Sequence, residues 1–186
     1  DMAALKAAIT PATRMLFVNS PNNPTGWTLS RAEQADILAH CRSTGTWVLA
    51  DEVYERLYYE PTPNGCAPSF LDIADPQDWL VVVHSFSKSF LMTGWRLGWL
   101  VVPEQLTPVL ERLAQNLFIC ASTVAQQAAL ACFEPESLAI YEQRRSEFQL
   151  RRDTVVPALC EMGMAVEVMP DGAFYAWANV AAICER

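Results

Sequence analysis

The sequence is short of histidine and of basic charge and carries no paired-cysteine motif, and each shortage removes a class of function. Among 186 residues there are two histidines, His40 and His84, and six cysteines with no Cys-x-x-Cys pair. The spacing that tetrahedral metal sites use is therefore missing, and no metal is expected. Thirteen Lys plus Arg face 21 Asp plus Glu, a net charge of −8. A nucleic-acid or anionic-membrane partner is not expected of such a chain. No apolar run reaches the length of about 20 residues that a membrane helix needs. The first residues, DMAALKAAITPATR, have no basic region followed by an apolar core, so no secretory leader is expected. The scattered thiols read as single buried or half-buried side chains in a reducing compartment, the cytoplasm by default.

What is present is an apolar fraction of 52% with charges interspersed, the balance of a soluble globular chain rather than a disordered one. Residues 2–9 read as a short helix ended by Pro11. RMLFVNS (14–20) is a compact strand that stops at the turn-rich PNNPTG (21–26). The next helix starts at a capping box, Ser30 with Glu33, and stops at Gly45. TWVLA (46–50), WLVVVHS (79–85) and RLGWLVV (96–102) are further strands, each nearly all apolar. Strands alternating with helices predict a mostly parallel sheet sandwiched by helices. Beyond residue 103 the pattern turns helical over about 104–117, 122–133 and 135–163, with Pro157 expected to kink or split the last of these. MAVEVMPDGAFYAW (164–177) reads as two short strands around a Pro-Asp-Gly turn.

In an open α/β sheet, ligands bind beyond the carboxyl ends of the strands. Polar residues collect at those places here: Asn23 after the first strand, Asp51 and Tyr54 after the second, Ser85, Ser87 and Lys88 after the third, with Arg96 opening the fourth. Taken singly, each has a plain structural use. Asn23 suits a turn before proline, Asp51 a helix cap, Tyr54 a core, Lys88 a solvated surface and Arg96 an ion pair.

Together and in this order, the stretches NSPNNPTG, DEVYERL and SFSKSFLMTGWRLGW resemble the class I/II aminotransferases of the pyridoxal phosphate-dependent fold-type I superfamily. The resemblance implies pyridoxal 5′-phosphate as cofactor, and an amino acid and a 2-oxo acid as substrates. It implies that Lys88 forms the Schiff base and carries the proton at the substrate Cα. Asp51 would pair with the pyridine nitrogen, Tyr54 and Asn23 would hydrogen-bond the ring hydroxyl, and Ser85, Ser87 and Arg96 would hold the phosphate. Gly94 would let the backbone turn before Arg96, and the Asn23–Pro24 bond would be cis. His84 and Trp95 are expected to pack.

The resemblance also implies homodimers of chains about twice this length with two domains. Residues 1–134 would be part of the large, cofactor-binding domain. Residues 135–186 would be a connecting helix and the beginning of an α+β small domain. The phosphate-binding helix N-terminus, the aromatic stacked on the cofactor and the arginine for the substrate carboxylate are expected to lie outside the sequence. On that expectation the 186 residues alone turn over little or no substrate. A lyase or synthase of the same fold would share these cofactor residues, as would an effector-sensing domain of a transcription regulator.

Overall fold

The computed structural model describes residues 1–184. Four strands form one sheet in the order β1 (Met15–Asn19), β2 (Trp47–Asp51), β3 (Leu80–Ser85) and β4 (Gly98–Val101). The first three run parallel, and β4 returns antiparallel along β3. In this register Asn19 lies beside Asp51 and Asp51 beside Val83, so β1 and β2 finish level and β3 runs two residues further, to Ser85.

Strict alternation along β2 and β3 separates the two faces of the sheet. Val48, Ala50, Leu80 and Val82 point into a core closed by helices α1 (Met2–Ala8) and α2 (Arg31–Thr44), together with Ile37, Leu38, Cys41 and Phe70. Val48, Phe70 and Val82 are wholly inaccessible. Burial of side chains of this size stabilises the fold by about 1.5–3 kcal/mol each before entropy is counted. α2 begins and ends as its sequence dictates. Ser30 and Glu33 cap each other's backbone, and Gly45 closes the helix at φ 66°, where a Cβ would be strained. The opposite face is less covered: Met15 and Phe17 on β1 are 49% and 59% exposed.

After β4 come α3 (Thr107–Leu117), α4 (Thr123–Leu130), α5 (Pro135–Glu161) and the short α6 (Ala181–Cys184). α4 packs on a second core of Phe86, Phe90, Met92, Leu97 and Cys132. α5 runs unsplit through Pro157. Four residues from the helix end, the proline removes one backbone donor where few turns remain to be disturbed.

The segment 164–177 departs from the hairpin that its composition suggests. It makes isolated bridges, Tyr58 with Gly172 and Ala165 with Asn179, instead of pairing with itself. Gly26 O accepts from both Asp171 N and Gly172 N, Tyr59 N donates to Asp171 O, and Ala173 N donates to Leu57 O. Its backbone groups are thus satisfied by two distant loops, and residues 170–173 form a strap across them. The thiols also depart in part from expectation. All six are free, and Cys41 and Cys132 are buried, but Cys120, Cys160 and Cys184 are exposed.

Candidate active site

β2 is apolar up to Ala50, and its last residue, Asp51, carries a carboxylate out at the strand end. The side chain is half-buried on the less covered face and, among the described residues, accepts only a long backbone bond from Val53 N, 3.3 Å. Burial pushes its pKa above the ordinary carboxylate value, while the Val53 N–H and the nearby His84 act in the opposite direction. Glu52, on the other face, accepts from Ser69 Oγ at 2.6 Å and Phe70 N at 2.9 Å and so anchors the strand end to the closed core.

Tight turns then bring Tyr54 inward, with Leu57 N donating to Tyr54 O at 2.8 Å. Its ring is 2% exposed, and its hydroxyl meets that of Tyr175 at 2.7 Å. Burial, and then the Tyr175 contact, hold the phenol well above its ordinary pKa, with the Asn23 side chain acting against them.

Asn23 sits in the loop after β1, where the Ser20–Pro21 and Asn23–Pro24 bonds are both cis. Asn19 ties this loop to β2: its Nδ2 donates to Asp51 O at 3.0 Å and its Oδ1 accepts from Asn23 N at 2.6 Å.

β3 ends at Ser85, whose Oγ accepts from Ser87 N at 3.1 Å. The chain folds back sharply, with Leu91 N donating to Lys88 O and Met92 N to Phe86 O. Lys88 is left half-buried, its Nζ 5.9 Å from the centres of both the Tyr54 and Phe174 rings. Among the described residues its amine has neither an ion-pair nor a hydrogen-bond partner. Only one other lysine occurs in the sequence, Lys6, and that one is paired with Asp36 at 2.7 Å.

The structure therefore gathers Asn23, Asp51, Tyr54 and Lys88 around the Tyr54 ring, with Ser85 and Ser87 joined to each other at the adjacent strand end. Arg96 makes no hydrogen bond or ion pair with them among the described residues. It is exposed and donates from Nη1 to Thr93 O at 3.0 Å. The turn expected at Gly94 is present as a single 3-10 turn over Thr93–Trp95, closed by Trp95 N donating to Met92 O at 3.2 Å, while the left-handed backbone falls on Leu91 and on Arg96 itself, at φ 58° and 52°. His84 packs as expected, stacked on Trp99 at 4.7 Å, whereas Trp95 is 46% exposed.

Three further residues belong to the site. Asn19 clamps the loop to the strand, and Phe174 and Tyr175 lie against Lys88 and Tyr54. Asn19 stands in the quoted NSPNNPTG, but its two-way clamp needs the sheet register to be visible. Phe174 and Tyr175 stand far along the chain from their partners, Tyr175 121 residues from Tyr54, in a stretch whose local pattern suggested only a strand.

The donor set suits an aldehyde-bearing, phosphorylated pyridine. It offers an unpaired amine, a half-buried carboxylate for a ring nitrogen and hydroxyl donors at a strand end.

A family model described as aminotransferase class I and II matches residues 1–184. The valine–pyruvate aminotransferase of Mycobacterium tuberculosis is 37% identical over 96% of this chain and 45% of its own length. A probable aspartate/prephenate aminotransferase of Aquifex aeolicus is 35% identical over 98% of this chain and 46% of its own. The chain thus spans about half the length of the curated relatives it matches. Among solved structures, a mutant of Thermus thermophilus aspartate aminotransferase superposes with a TM-score of 0.89 at 31% identity, covering 98% of this chain and 49% of that one. An aminotransferase from Mycobacterium tuberculosis gives 0.87 at 35% identity, covering 97% and 45%. Match and superposition extend over nearly the whole of the described chain, which belongs to the aminotransferase class I and II family.

Proposed function

We propose that the whole protein is a pyridoxal 5′-phosphate-dependent aminotransferase, moving an amino group between an amino acid and a 2-oxo acid, and that Asn23, Asp51, Tyr54, Ser85, Ser87, Lys88 and Arg96 hold the cofactor. The observation that carries this reading is the amine of Lys88, half-buried at the Tyr54 and Phe174 rings with no partner among the described residues, while the neighbouring strand ends in the half-buried carboxylate of Asp51. The cofactor supplies an aldehyde for a covalent link and a ring that draws electron density from the substrate.

The chain's own residues do the rest. Lys88 Nζ would be the group that holds the cofactor aldehyde and that carries the proton at the substrate Cα. Asp51 keeps a ring nitrogen protonated, through a charge-assisted hydrogen bond of about 1.5–3 kcal/mol. Tyr54 and Asn23 face the ring hydroxyl. Ser85 and Ser87 would donate to the phosphate, and Arg96, whose guanidinium donates to Thr93 O, would supply its cation. In this reading residues 1–134 belong to the large domain, and 135–186 are the connecting helix and the first part of the small domain. A homodimer in the cytoplasm completes the proposal; among the described residues no helix is long and apolar enough to cross a membrane.

The test is product analysis of the whole protein with an amino acid and a 2-oxo acid. An aminotransferase yields the new 2-oxo acid and the new amino acid in equal amounts. Release of an eliminated side-chain group in their place would assign a lyase.

A further inference from the structure

The strap that carries Tyr175 is built more firmly than a packing segment needs. Gly26 O accepts two of its backbone donors, at 3.0 and 2.9 Å, and Leu57 O accepts a third from Ala173 N at 2.7 Å. Ala173, wholly inaccessible, holds a left-handed φ of 56°, and its carbonyl accepts the Tyr59 hydroxyl. A non-glycine residue in that region is strained, and neighbours must over-determine it. Glycines make the seat possible: a Cβ on Gly26 would stand 2.5 Å from Pro170 Cβ, and one on Gly172 would stand 2.7 Å from Pro21 Cβ.

The frame delivers two side chains to one place. Phe174 meets the Tyr54 ring edge-on at 5.4 Å and lies 5.9 Å from Lys88 Nζ. Tyr175 also meets Tyr54 edge-on, at 5.7 Å, and its hydroxyl has one hydrogen-bond partner among the described residues, the Tyr54 hydroxyl at 2.7 Å. Packing alone would be served by phenylalanine, which keeps the ring and spares the cost of taking a hydroxyl out of water.

We propose that Tyr175 is a positioning residue for Tyr54: its hydroxyl fixes the direction in which the Tyr54 hydroxyl points, and so what Tyr54 presents to a ligand beside Lys88. A phenol proton otherwise swings in the ring plane between two sites. With Tyr54 donating to Tyr175, the Tyr54 proton is retained, and its oxygen keeps its remaining acceptor capacity for Asn23 and a bound ring hydroxyl. The role as a partner of the cofactor rests on the reading of the site given above. The hydroxyl pair itself does not.

The experiment labels the chain with 3-fluorotyrosine and follows the Tyr54 fluorine resonance, assigned with Tyr54→Phe, through an alkaline titration without cofactor. Removing one hydrogen bond with Tyr175→Phe is expected to lower the onset of Tyr54 ionisation by about one pH unit. Equal titrations in the two proteins would overturn the proposal, even if the variant were less stable. A parallel borohydride labelling with pyridoxal 5′-phosphate separates the two ideas. A shifted Tyr54 with Lys88 unlabelled in both proteins keeps the positioning role and removes the cofactor reading. An unshifted Tyr54 with Lys88 labelled does the reverse.

Discussion

Two aspartates mark opposite ends of the sheet, and they are treated in opposite ways. Asp78, just before β3, has a side chain 7% exposed and fully answered: Arg42 reaches it with Nε at 2.6 Å and Nη2 at 2.5 Å. That pair holds its pKa below the ordinary 3.8. Asp51, at the carboxyl end of the neighbouring strand, has one long backbone donor and a pKa that burial pushes upward. Lys88, just past the end of the next strand, has no partner for its amine among the described residues. One end of the sheet satisfies its charges and contributes stability. The other leaves an acid and an amine under-used, which costs stability and leaves both free for a ligand.

Substitutions at the two ends should therefore separate binding from folding. The largest expected effect is at Lys88: Lys88→Ala should abolish the borohydride-trapped cofactor adduct while changing stability by no more than about 0.5 kcal/mol. Unfolding of that variant would mean the amine is structural. Asp51→Asn should weaken retention of pyridoxal 5′-phosphate by about ten- to a hundredfold, read by equilibrium dialysis, because a charged hydrogen bond is lost. Arg42→Ala, at the other end, should leave binding alone and cost roughly 1–3 kcal/mol in urea unfolding, since a buried acceptor loses its partner. Gly26→Ala should cost roughly 1–3 kcal/mol as well, by straining a left-handed turn and pushing off the strap.

The smallest effect is in pH, and its sign differs between the ends. The native chain keeps a proton on Asp51 after the unfolded chain has released it. Stability from that group is thus present below pH 3.8 and lost as pH rises through its folded value. Asp78 behaves in the reverse sense: its stability is present above pH 3.8 and lost as pH falls through its depressed folded value. Urea unfolding of Asp51→Asn and Asp78→Asn from pH 3 to 7 should show the first gaining on the parent chain as pH rises and the second losing. Parallel curves would break the contrast.

The strands and the capped helix were legible because their signals are local: unbroken apolar runs, Ser30 with Glu33, and Gly45 at a position that needs positive φ. The place of the site was legible for a related reason, since strand ends and polar residues coincide in the sequence. The strap was not. Pro170, Asp171 and Gly172 carry the composition of a hairpin turn, but the backbone partners of Asp171, Gly172 and Ala173 are Gly26, Tyr59 and Leu57, more than a hundred residues away. Nor does a motif say where a long side chain points. Arg96 stands where the sequence pattern puts it, and its guanidinium lies on Thr93 O. Tyr175 escaped notice because a tyrosine in an apolar stretch looks the same whether its hydroxyl meets water or another tyrosine.

The most direct test of the contrast between the two ends uses the chain's only two lysines as probe and control. The protein is incubated with pyridoxal 5′-phosphate, reduced with borohydride, weighed intact and mapped by peptides. One pyridoxyl phosphate group on Lys88, with the ion-paired Lys6 and the amino terminus essentially unmodified, is the predicted result. Labelling spread evenly over Lys6, the amino terminus and Lys88, or absent from Lys88, would contradict it.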